Sequence, residues 1–365
     1  MVATKTSKNL IALTFSLTFT LLALTFSGCS KNEEAKAIKE IRIYTWSDYL
    51  QDSMIKSFEK ESGLTVKLDY FSSNEELLAK IQASVQSGSA GYDLIMPSDY
   101  MVATMVELKL LRELDHGQLP FVNDYAPEFK NPSYDQGLKH SVPVAWGTTG
   151  LAVDTSKIKN FSRSQGISWK DVFENKAYSG QVSMLDDMKE VFHAALLVLG
   201  KKWSEATKED ITAAFQYIKK HKASIKIFTA ESRPVMEAGE CTLCQAYSGD
   251  VLKAQKTRAS LDYLIPKEGA TLWTDNFAIP NNAKNPSGAY QFLSYFLGSA
   301  GAKQFTESTF FASPNQKARM SLIPELQANN VIFPSENDMK RLSLIQEKPE
   351  LMLLIDQYWT ELRSE

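Results

Sequence analysis

The stretch Ile41-Arg42-Ile43-Tyr44-Thr45-Trp46-Ser47-Asp48-Tyr49 decides how the rest of the chain is read. Ile41 and Ile43 alternate with Arg42 and Tyr44, the pattern of a strand with one buried face. Ser47 is placed to cap a helix, and Leu50, Met54, Ile55 and Phe58 follow at helical spacing up to Gly63. Trp46, Asp48 and Tyr49 therefore fall where a strand hands over to a helix. Open α/β sheets bind ligands outside the carboxyl ends of their strands. Two rings and a carboxylate at such a place suit a cation or a sugar. The competing reading is that Trp46 and Tyr49 only cover the end of a core.

Outward from this stretch the same alternation continues. Residues 64–71 read as a strand, 74–86 as an amphipathic helix, and 92–96 as a strand ending in Pro97-Ser98-Asp99-Tyr100. Residues 141–146 read as a strand entering Gly147-Thr148-Thr149-Gly150. That Gly-bounded segment suits a crossover between domains. Strands over 181–185, 224–228, 242–247, 261–266 and 272–280 follow, with helices between them, and a last helix starts near Pro349. Helices and strands in this order indicate an α/β fold.

The 365 residues suffice for two domains. Lys plus Arg number 40 against 43 Asp plus Glu, a balance that argues against a nucleic-acid partner. Lys5 and Lys8 precede an apolar run from Leu10 to Phe26, then Ser27-Gly28-Cys29. A basic region, an apolar region and small residues make an export signal over residues 1–28. The Cys directly after Ser-Gly resembles a bacterial lipoprotein signal in which Cys29 carries the lipid, although Phe26 stands where Leu is usual. A transmembrane anchor is the alternative, for a run just short of a comfortable span. Residues 29–38 are polar and read as a flexible tether.

Several strand ends carry the same kinds of group: aromatic Trp46, Tyr49, Tyr100, Tyr247 and Trp273, and acidic Asp48, Asp99, Asp187, Glu190, Asp250 and Asp275. A ring face attracts a cation, and a buried ammonium needs a charged acceptor. The set suits a flexible polycation such as a polyamine, and it also suits a sugar. Asp187 and Glu190 share one side of a first helical turn, where helix capping alone would explain them. They do not flank a bond from two sides as glycosidase carboxylates do, and no hydrolase motif appears, so no catalytic residue is expected. His116, His140, His193 and His221 show no ligand spacing, and neither a metal nor a cofactor is expected. Cys241 and Cys244 sit on a strand-like segment. There, residues three apart face opposite sides, so two unpaired or buried thiols are expected rather than a disulfide or a zinc site.

The ordered pieces IYTWSDYL (43–50), YDLIMPSDY (92–100), SVPVAWG (141–147), LDDMKEVF (185–192), AYSGD (246–250), LWTDNFAIPNNAKNPSGA (272–289) and SPNQKA (313–318) resemble the spermidine/putrescine-binding proteins of bacterial ABC importers. The resemblance implies a two-lobed periplasmic binding protein of type II, each lobe a mixed sheet flanked by helices, with ligand in the cleft. Lobes of 39–147 with 274–319, and 148–273 with 320–365, are expected. It further implies a receptor that closes on a polyamine and presents it to a permease in the inner membrane; the lipoprotein signal implies that lipidated Cys29 holds it in the cell envelope, and a monomer is expected. By resemblance, Trp46 and Tyr49 form the first aromatic pair, and Asp48 is the acid following its first ring. Ser98 and Tyr100 are the second-strand site. Asp187 and Glu190 hold a terminal ammonium, and Trp273 and Asp275 stack on and pair with the chain. Gln346 corresponds to a late glutamine ligand. Tyr247 departs from the family's usual Trp. Asp250 looks like a carboxylate of putrescine-type members, whereas Ser98-Asp99-Tyr100 and Asp187 look like spermidine-type ones, giving a slight lean to spermidine. A sugar receptor is the alternative.

Overall fold

Ile41 and Ile43 are fully buried in β1 (Glu40–Trp46), as their alternation requires. The computed structural model describes residues 38–89 and 91–364. The export signal, Cys29 and all but the last residue of the tether lie outside the described residues. β1 pairs in parallel with β2 (Thr65–Phe71) and with β3 (Leu94–Ile95). β4 (Ser141–Asp154), β5 (Val182–Leu185), β6 (Ile225–Thr229), β7 (Leu243–Tyr247), β8 (Leu261–Leu264), β9 (Ala270–Ala278) and β10 (Leu342–Leu344) complete the described sheet. Its order is β2-β1-β3-β9-β4-β7-β5-β6, with β10 beside β9 and β8 beside β4. The sheet is mixed: β5 lies parallel to β6 and β7, while β4 runs antiparallel to β7, β8 and β9.

β4 and β9 carry the chain between the two ends of the sheet. They pair from Ser141↔Ala278 to Thr149↔Thr271, and beyond Thr149 β4 passes to β7 and β8. Each end has its own core. Phe58, Phe277, Phe292 and Phe296 pack with Ile41 and Ile43, and Trp169, Phe173, Phe192 and Trp203 pack with Val182 and Leu243. A fully buried aromatic or aliphatic side chain of this kind contributes about 1.5–3 kcal/mol.

Two local expectations need correction. Ser47 does not cap a helix. Ser47–Leu50 form a turn, Asp48 takes φ 62°, and the helix Asp52–Ser62 starts after Gln51, whose side chain makes no capping hydrogen bond. Asp tolerates left-handed backbone better than most residues, so the turn competes successfully with an early helix start. Residues 147–150 lie inside β4, which runs through them without exposure at any position. The glycine at 147 answers a close approach, since a Cβ there would lie 2.5 Å from Cζ2 of Trp273. Finally, Cys241 and Cys244 are free and buried, but they do not face apart. Cys241 precedes β7, both belong to one apolar cluster, and their thiols interact. The alternation argument fails because only Cys244 is on the strand.

Candidate functional site

The carboxyl ends of β1, β3, β5 and β7 converge on the middle of β4 and β9. Asp275, in β9, is 5% exposed. Tyr49 donates its hydroxyl to Oδ2 at 2.6 Å, and Ser98 donates to Oδ1 at 2.7 Å. The indole N–H of Trp46 is turned toward the same carboxylate without a hydrogen bond of good geometry. Burial pushes the Asp275 carboxyl up to about 6, against the pull of these donors. Ser98 is itself fixed by Asn74, whose amide donates to the Ser98 and Tyr100 hydroxyls at 3.1 and 2.9 Å. Asp99 lies behind this layer, accepting the backbone N–H groups of Tyr100 and Thr274. Its burial raises the carboxyl to about 8.

The second acidic centre starts the helix Met188–Val198. Asp187 caps it, accepting from the N–H groups of Lys189 and Glu190, as the capping reading requires. Glu190 does not cap. It is 6% exposed and accepts the hydroxyls of Thr149 at 2.8 Å and Thr271 at 2.6 Å. Burial, then the nearby Asp187, pushes its carboxyl up to about 8. His193 lies 2.8 Å from Thr271, and burial lowers it to about 4, leaving it neutral. Because Thr271 donates to Glu190, it accepts from Nδ1–H of His193, which assigns that tautomer.

Between the acids stand the rings. Trp273 meets Tyr247 edge-on at 6.0 Å and Phe311 at 5.0 Å, while Tyr49 lies 5.6 Å from Phe311. The acids Asp187, Glu190, Asp275 and Asp250 all lie close enough to Tyr247 to raise its phenol, after burial itself. Asp250 is matched by Lys253 at 3.5 Å. Asp48 stands apart, exposed, in an ion pair with Arg233 at 3.0 Å. Gln346 is also exposed. It lines a cavity of about 270 Å³ together with Asp99, Tyr100 and Glu347. Among the described residues no group of three or more His, Cys, Asp or Glu side chains is placed to hold a metal ion.

Sequence reasoning missed Asn74, Thr149, Thr271, Lys189, Glu75 and Glu347. Asn74 follows the end of β2 and was open to the same strand-end argument. Thr149 and Thr271 carry no such signal, because a threonine in a buried strand reads as β-propensity. Lys189 was passed over as a spacer inside the quoted acidic motif.

The chain matches the family of bacterial extracellular solute-binding proteins over residues 53–333. It is 32% identical over 358 residues to the spermidine/putrescine-binding periplasmic protein 1 of Haemophilus influenzae, covering 95% of this chain and 98% of that one. It is 30% identical over 363 residues to the putrescine-binding periplasmic protein of Pseudomonas aeruginosa, covering 94% and 98%. Among solved structures, the spermidine/putrescine ABC transporter substrate-binding protein of Streptococcus pneumoniae superposes with a TM-score of 0.77 at 26% identity. That match covers 89% of this chain and 99% of the other.

Proposed function

The chain belongs to the bacterial extracellular solute-binding proteins, and from that membership we propose that it is the polyamine receptor of an ABC importer. The observation that carries the reading is the pairing of buried acids with rings: Asp275 beside Trp46 and Tyr49, and Glu190 near Tyr247, which Trp273 meets edge-on. Both acids are held by hydroxyl donors rather than by fixed cations. An ammonium supplies the missing charge, and the methylenes between ammonium groups lie on ring faces. The names of the relatives point the same way.

The mechanism is closure around the ligand. Residues 39–147 with 274–319 form one lobe, and 148–273 with 320–365 the other, with β4 and β9 among the crossings. Asp275 and Glu190 then contact opposite ends of one ligand, and only the closed state makes both contacts. The receptor works as a monomer in the cell envelope, anchored by lipidated Cys29, and hands its cargo to an inner-membrane permease. It performs no catalysis.

The buried indole N–H groups of Trp46 and Trp273 lack hydrogen-bond partners, which favours a sugar hydroxyl as the competing ligand. Titration with putrescine, spermidine and neutral sugars at two salt concentrations separates the readings. Polyamine binding that survives high salt supports the desolvated cleft. Sugar binding without polyamine binding would replace it, and weak polyamine binding abolished by salt would reduce it to surface attraction.

A further inference from the structure

Lys189 is an unexpected residue for the place it holds. It stands in the first turn of the helix Met188–Val198, where the helix dipole disfavours a cation. It is 4% exposed, and lysines are almost never that buried unless paired. Its Nζ lies 3.1 Å from Oε1 of Glu75 and 3.7 Å from Oε2 of Glu347. The same atom stands 3.5 Å from the centroid of the Tyr100 ring. Its charge reaches further, pulling down the carboxyls of Asp187 and Asp99 against the larger effect of their burial. Tyr100 is tied through Asn74 to Ser98, and Ser98 to Asp275. An ammonium on an aliphatic stem, over a ring and among carboxylates, is the chemistry ascribed above to the ligand. Here the chain supplies it.

We propose that Lys189 determines specificity: its ammonium permanently fills one cation seat of the cleft, so that the receptor takes a linear diamine in preference to longer polyamines. The inference rests on the polyamine reading and narrows it. Asp250 is already matched by Lys253, and Asp187 caps the helix beside Lys189. Asp275 and Glu190 remain, each held by hydroxyl groups, and two such seats match two ammonium groups. A third ammonium would have to settle on the Tyr100 face that Lys189 occupies, against a like charge. This runs counter to the slight lean of the motifs toward spermidine.

The test is calorimetric titration of the purified protein and its Lys189→Met, Lys189→Gln and Lys189→Arg variants with putrescine and spermidine. The wild type is expected to prefer putrescine. Removing the charge should raise the spermidine-to-putrescine affinity ratio roughly tenfold or more, since a desolvated cation–ring contact is freed. Lys189→Arg should keep the wild-type order. A wild type that prefers spermidine overturns the proposal whether or not the variants fold. So does an unchanged ratio in the neutral variants. Absence of any polyamine binding in the wild type is a different result: it removes the polyamine reading, and this inference with it.

Discussion

On the proposed polyamine reading, Asp275 and Glu190 gain their affinity for a cation from being buried without one. Each accepts two hydroxyl groups, which orient the carboxyl but supply no positive charge, so burial holds it toward the protonated form until a cation arrives. Once an ammonium is bound, neutralising either acid strands that charge. Asp275→Asn and Glu190→Gln are each expected to weaken polyamine binding by about 2–5 kcal/mol, measured by calorimetry. Wild-type affinity in both would remove these residues from the site. The same burial sets a pH dependence. The carboxyls titrate near 6 and near 8 in the folded protein, above their ordinary range, so the unliganded fold binds the extra protons. Their contribution to stability is full below the ordinary carboxylate range and is lost as pH rises through those values. A cation reverses the loss. The rise in melting temperature on adding polyamine should therefore be larger at pH 8 than at pH 5, and an equal rise at both would show that these acids do not titrate with the ligand.

The elements that bring these residues together are β4 and β9, and they approach closely at a glycine. Gly147→Ala would push the Trp273 ring aside, and overpacking of this kind costs about 1–3 kcal/mol. Denaturant unfolding should show that loss, accompanied by weaker polyamine binding. Unchanged stability and affinity would mean that the ring yields freely. This contact also marks what the sequence made legible. Alternating Ile41 and Ile43, the helix faces carrying Met54 and Phe58, and the acids at strand ends all declare themselves through local spacing. The close approach at Gly147 is not legible locally, because its partner, Trp273, lies far along the chain. Ser47 was read as a cap because Ser is a good cap wherever it stands, and only the turn at Asp48 displaces it. Thr149, Thr271 and Lys189 escaped for the same reason: their roles come from what β4, β9 and the helix after β5 place beside them.

Across the whole molecule, contacts from both ends of the sheet meet at the cleft. Asp48 in the turn after β1 pairs with Arg233 in the helix after β6, and Glu75 pairs with Lys189. The first pair is exposed and is worth at most about 1 kcal/mol, so Asp48→Asn should change stability and affinity little. Closure is instead attributed to the ligand bridging Asp275 and Glu190. Small-angle scattering should show a smaller radius of gyration with polyamine than without, and no change would remove the hinge. The most direct test lies in protons. At pH 7 the Glu190 carboxyl, near 8, must ionise to take an ammonium. Calorimetric titration with putrescine in two buffers of different ionisation heat should report release of roughly one proton per ligand, falling sharply in Glu190→Gln. Tight binding with no proton release would mean that the buried acids do not receive the cation, and the proposed recognition chemistry would fall.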